Sequence, residues 1–120
     1  MTNQTDQLLL RDYIEYRSET AYSELVRRHV DLVYSAALRM VRDVHLAQDV
    51  TQATFIVLAQ NATRLTGHVT LTGWLHKTAR NIAANTVRTE VRRKKREQEV
   101  AMNESLSTPS IASWEEIAPT

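Results

Sequence analysis

The sequence predicts an all-α fold, a small bundle of three to four helices with a long basic C-terminal helix. Three observations carry that expectation. The chain runs from Met1 to Thr108 without a proline, and its two glycines, Gly67 and Gly73, fall together in one short stretch, so helix breakers are confined to one connection and the C-terminal end. Ala, Leu, Glu, Gln and Arg, all good helix formers, make up a large share of the chain. Apolar residues recur at intervals of three and four along several segments. At 120 residues and 42% hydrophobic, there is material for one small domain with a modest core.

The elements follow in order. The first helix is expected over "DQLLLRDYIEY", with Asp6 as N-cap and Leu9, Tyr13 and Tyr16 facing inward. Ser18 opens the second, and Glu19 stands in its first turn, where a negative charge suits the helix dipole. Tyr22, Val26, His29, Val33, Ala36, Ala37 and Met40 then form an apolar stripe. Asp43 is placed to cap a third helix over residues 45–62, with Val50, Thr54, Val57 and Leu58 inward. "TRLTGHVTLTG" lacks any helical period and reads as a loop. Thr72 is the expected cap of a fourth helix, "GWLHKTARNIAANTVRTEVRRKKRE". After Glu99 the chain turns acidic and Ser/Thr/Pro-bearing, so residues 1–99 are expected to form the domain and residues 100–120 a linker or mobile tail.

Several function classes are disfavoured. Without cysteine there is neither a disulfide frame nor a thiolate metal site, which fits a reducing cytoplasm. No apolar run approaches the roughly 18 residues of a membrane span. The N-terminus lacks the build of a signal peptide, and a soluble cytoplasmic protein is expected. Catalytic patterns are absent too. His29, His45, His68 and His76 show no paired ligand spacing, and no glycine-rich phosphate loop exists. Asp43 and Asp49 read better as a cap and a partner contact than as an acid/base pair. The expectation is therefore a protein that is not an enzyme, with no catalytic residue, metal or cofactor.

Two surfaces hold the functional signal. Residues 73–97 carry eight of the chain's 15 Lys and Arg residues. On that segment Leu75, Ala79, Ile82 and Thr86 make an apolar face, while Lys77, Asn81, Ala84, Arg88, Arg92 and Lys95 make the opposite one, with Arg80 and Asn85 beside it. Glu90 and Arg93 fall where core residues should continue, so the first half is expected to dock and "RRKKRE" to project into solvent. One-sided positive charge suits phosphates, each neutralised contact steepening the log–log salt dependence by about 0.9. Asparagine amides can read base edges, and Trp74 and His68 offer rings for stacking. A solvated charged helix end is the bland alternative. On the third helix, Asp49, Gln52, Ile56 and Ala59, with Phe55 beside them, resemble a partner-binding surface; a mid-bundle helix burying both sides fits equally well.

The segments "DLVYSAALRMVRDVHLAQDVTQATFIVLAQ" and "GWLHKTARNIAANTVR" resemble domain two of bacterial extracytoplasmic-function (ECF) sigma factors, the promoter-specificity subunits of RNA polymerase. The family pattern is a D-x-x-Q-E-x-F helix, a loop, then W-L-x-x-I-A-x-N with trailing arginines, and the resemblance spans about residues 6–99. It implies that Asp49, Gln52 and Phe55, with Ile56 beside them, bind a coiled coil of the polymerase beta-prime subunit. Residues 66–71, including Thr66 and His68, match the segment that captures a flipped base of the minus-ten element. Asn81, with Arg80, Asn85 and Arg88, matches the helix that lies along the promoter strand; Trp74, Lys77 and Arg92 extend that face. Ala53 departs from the usual Glu, Thr78 from Ile and Asn85 from Asp.

Such factors normally carry a second, helix-turn-helix domain that reads the minus-35 element. Here "SWEEIAPT" resembles the start of the connector into it, so an isolated domain two or a truncated form is expected, the second DNA-binding domain being absent. The implied partners are core RNA polymerase and promoter DNA. An anti-sigma protein is a further one, though no residue marks a site for it. Outside the resemblance, a general basic helical module binding RNA or duplex DNA, or a protein-interaction bundle meeting an acidic protein, fits the same charge pattern.

Overall fold

The computed structural model of the protein describes residues 4–67 and 70–107. They form four helices, α1 (Asp6–Tyr16), α2 (Glu19–Val41), α3 (Val44–Leu65) and α4 (Leu71–Ser107), and no strand occurs among the described residues. No described helix is long and apolar enough to cross a membrane.

Local chemistry sets most of the helix starts. Ser18 and Asp43 are extended, and their side chains accept the N–H groups of Ala21 and Leu46 at 3.1 and 2.9 Å. Each satisfies one of the donors that a helix N-terminus leaves open. The cap of α1 is Thr5, not Asp6: the Thr5 hydroxyl accepts the Leu8 N–H at 3.2 Å. Asp6 already has helical geometry, and its carboxylate is used on α2 instead. Likewise α4 begins before Thr72. Leu71 is drawn into the core, and the Trp74 N–H reaches the Thr70 carbonyl at 3.0 Å. The α2–α3 connection is only Arg42 and Asp43, which requires a sharp reversal. Arg42 adopts left-handed backbone, φ 55°, and returns its N–H to the Leu38 carbonyl at 2.9 Å.

The chain divides into two compact units, Met1–Val87 and Arg88–Thr120. In the first, the main core joins Leu9 and Leu10 of α1, Leu25 and Val33 of α2, Phe55, Leu58 and Leu65 of α3, and Leu71, Leu75 and Ala79 of α4. A smaller cluster of Ala37, Ala47, Val50 and Ala83 uses small residues so that α2, α3 and α4 come close. On α2, His29, Val33, Ala36 and Ala37 are buried as expected, but in the first two turns the inward stripe is offset by one residue. Ala21 and Leu25 are buried, whereas Tyr22 and Val26 are half-buried. Tyr16, expected inward, is 74% exposed because α1 ends there. In α4, Ala83 takes the buried position beside which Ile82 and Thr86 are only half-buried.

In the second unit every residue of known exposure except Glu90 is exposed. Arg93 is engaged by two acids, Glu90 at 2.9 Å and Glu97 one turn on. The helix continues past residue 99 to Ser107. Gln, Ala, Met and Glu favour helix, and no glycine or proline intervenes before Pro109. The remainder of the expected tail, residues 108–120, lies outside the described residues.

On α2, Glu24 accepts from Arg27 Nε at 2.9 Å and from Arg28 Nε at 3.0 Å. These hydrogen bonds, Arg27's first, hold its carboxyl from an ordinary 4.5 down to about 2. A depressed folded pKa means stabilisation that is present above the ordinary value and lost as pH falls toward the folded one. Glu24→Gln is thus expected to melt slightly below the parent at neutral pH, with the gap closing between pH 4.5 and about 2. Thermal melts across that range check it; a gap independent of pH would contradict the assignment.

Candidate functional site

Two features of the first unit stand out, and both lie on the helices that carry the sequence motifs. The first is an open apolar groove of about 480 Å³ between α2 and α3. One wall is the half-buried row Tyr22, Val26, Val30 and Tyr34 of α2, four residues apart. The other is Thr51, Gln52, Phe55 and Ile56 of α3. The wall is apolar because its hydroxyls are turned inward. Thr51 Oγ1 donates to the Ala47 carbonyl at 2.7 Å, and in the core behind it Thr54 Oγ1 donates to the Val50 carbonyl at 2.8 Å, the usual way a buried helical threonine is satisfied. Tyr22 donates its hydroxyl to the Phe55 carbonyl and stacks at a tilt on Tyr13, centroids 5.0 Å apart. Burial, ahead of the nearby Tyr13 and Glu19, raises the Tyr22 hydroxyl pKa, so it remains a donor.

The expected partner surface of α3 is therefore resolved into distinct roles. Gln52, Phe55 and Ile56 come together at the groove, while Asp49 stands outside its lining, exposed. Phe55 is only 6% exposed and belongs to the core, whereas Ile56 is 50% exposed. The α2 wall, with Asp31 at its rim, was not singled out in the sequence. Its signal was the 22–26–30–34 spacing, which is one position out of phase with the buried 21–25–29–33 row.

The second feature is a polar recess of about 310 Å³ between the end of α2 and the first half of α4. Met40 forms its apolar side, and His76, Lys77, Arg80 and Asn81 supply the polar groups. No carboxylate lines it, so the local field suits an anion. Lys77, Arg80, Asn81 and Asn85 are all exposed, as expected for the outward face of α4. Met40 and His76 are additions: the first was assigned to the core stripe, and the second has no pattern of its own.

The remaining candidates are placed as follows. Thr66 ends α3, and its hydroxyl donates back to the Thr63 carbonyl at 2.9 Å. Trp74 is half-buried with its ring packed against the main core, which leaves only part of it available for stacking. His68 lies outside the described residues. Arg88 and Arg92 are exposed and belong to the second unit. Among the described residues no group of three or more His, Cys, Asp or Glu could hold a metal ion.

Residues 25–97, which contain the recess and all of the groove lining except Tyr22, match the model of Sigma-70 region 2. The chain belongs to that family. It is 38% identical over 68 residues to the ECF RNA polymerase sigma factor SigE of Mycolicibacterium smegmatis, a match covering 57% of this chain and 26% of that protein. It is 30% identical over 103 residues to the RNA polymerase sigma factor CarQ of Myxococcus xanthus, covering 86% of this chain and 57% of that protein. The chain thus spans about a quarter and somewhat over half of these relatives' lengths. No solved structure matches it.

Proposed function

We propose that this chain acts in transcription initiation, as the part of an ECF-type sigma factor that binds core RNA polymerase and recognises the minus-ten promoter element as opened non-template strand. The observation that carries the reading is the family match over residues 25–97, which takes in an open apolar groove, Tyr22 excepted, and a basic, acid-free recess on one small unit. The groove suits a helical partner: Ile56 is an apolar anchor, Gln52 a neutral hydrogen-bonding group, and Asp49 a nearby charge for a basic side chain. In this reading the occupant is the beta-prime coiled coil.

The recess suits a nucleic-acid strand. Lys77 and Arg80 neutralise phosphates, the Asn81 amide meets a base edge, and Asn85 adds a contact; in the second unit, Arg88 and Arg92 are DNA-binding positions of their own. Residues 66–71, including Thr66 and His68, capture a flipped base, and Trp74 contributes its exposed edge. Residues 1–99 carry these activities, and residues 100–120 serve as a linker or tail. The place of action is the cytoplasm. No catalytic step, metal or cofactor enters the scheme.

The test is capture of the chain by core polymerase, followed by binding of single strands. Asp49→Arg, which reverses a charge at the edge of the partner surface, and Gln52→Ala are each expected to weaken capture. Asn81→Ala is expected to leave capture unchanged and to weaken strand binding about fivefold, as loss of one net hydrogen bond does. Without polymerase, strand binding should be weak and steeply salt-dependent. Capture indifferent to both α3 substitutions would sink the polymerase half of the reading.

A further inference from the structure

Helix α1 precedes the residues matched by the family model, yet it is bolted to two other parts of the first unit within a single turn. Asp6 faces α2, with its carboxylate 2.8 Å from His29 Nε2 and 3.2 Å from Arg28 Nη1. His29 is 8% exposed, while the Asp6 and Arg28 side chains are 26% and 23% exposed, so the contact is part-buried and its loss would leave the His29 ring short of a partner. The next residue, Gln7, faces the opposite task. Its Oε1 accepts the backbone N–H of Gly67 at 2.8 Å, across 60 positions of sequence.

Gly67 is the point where the chain leaves α3. Its φ is +81°, a conformation that favours glycine, although a Cβ there would meet nothing within 4 Å. Thr66 immediately before it is tied back to α3 through the Thr63 carbonyl. Leu9 and Leu10 of α1 share one core with Leu65 and Leu71, which flank the connection on either side. The side chain of Gln7 thus links, through a solvent-exposed hydrogen bond, a helix anchored on α2 by Asp6 to the exit of α3.

We infer that Gln7 is a positioning residue for promoter-strand reading, fixing the exit of α3 at Gly67 through its Oε1, with Asp6 holding Gln7 in place by its contacts to His29 and Arg28. The inference rests on the promoter reading proposed above. It assigns α1 a part in base selection although α1 itself contacts no strand in that scheme.

The test uses the full chain bound to core polymerase and a pool of short single-stranded DNA of randomised sequence, with amide hydrogen exchange at Gly67 measured in parallel. The parent is expected to enrich one motif. Gln7→Ala should retain polymerase capture and helical circular dichroism, speed exchange at Gly67, and lower the preference for that motif over its scrambled version about fivefold. Gln7→Glu keeps an acceptor at the same position, and in the first turn of α1, where negative charge is favoured, it should restore both readouts. A motif preference untouched by Gln7→Ala overturns the inference alone, as does unchanged exchange at Gly67 or a Gln7→Glu variant that behaves like the alanine. A parent that enriches no motif overturns the promoter reading and this inference with it.

Discussion

Leu25→Ala is expected to lower the free energy of unfolding by about 3–5 kcal/mol, the upper range for removing a fully buried leucine. Leu25 has no exposed surface and lies about two turns into α2, in the cluster to which all four helices contribute. Truncation removes transfer energy and also leaves a cavity, because the neighbouring helices are tied by caps and side-chain bonds and cannot close on it. A small domain has only about 5–15 kcal/mol in total, so a large share of the margin is lost. Urea unfolding followed by circular dichroism should show a much lower midpoint at unchanged slope. A loss below about 1 kcal/mol would mean that the core relaxes around the site and that Leu25 is not its centre.

Ile56→Glu is expected to reduce capture by core polymerase at least thirtyfold, roughly the 2 kcal/mol that marks an interface anchor. The same change should leave stability within about 0.5 kcal/mol, as for exposed positions away from special contacts. Ile56 is half exposed on the rim of the groove, so it contributes little to the core, and Glu is an equally good helix former. The cost appears only when a partner covers the site and a carboxylate must be buried against apolar atoms. Affinity and melting temperature measured on the same variant separate the two effects. Capture within twofold of the parent would remove the groove from the polymerase interface, whereas a large fall in melting temperature would return Ile56 to the core. Leu25 and Ile56 thus make a matched pair: one apolar residue buried in the core and one half exposed at the groove.

Much of this was legible along the chain because the deciding interactions are short-range. Ser18 and Asp43 cap helices through bonds three residues long, and their identity suffices to find them. The family was legible for a different reason. Asp49, Gln52 and Phe55 on one segment, and Trp74, Leu75, Ala79 and Asn81 on the next, keep a spacing and an order that survive without any knowledge of packing. Where two good caps stand side by side, local rules cannot choose. Thr5 and Asp6 are both able to cap α1, and the choice went to Thr5 where the Asp6 carboxylate meets Arg28 and His29, 22 and 23 residues away.

The sequence by itself determined four helical segments, two of their caps, the family, and the outward placement of Lys77, Arg80, Asn81 and Asn85. All of these depend on a 3.6-residue period and on side chains within one turn of each other. Only the tertiary structure decided which of two adjacent apolar rows on α2 is core and which is groove. That is a matter of how α2 rolls against α3, and a rotation of one position changes Tyr22 and Val26 from filling to wall. It also decided that Phe55 is buried while Ile56 is open, and that Gln7 meets Gly67. Those facts come from helix packing between distant segments, where no local spacing carries the information.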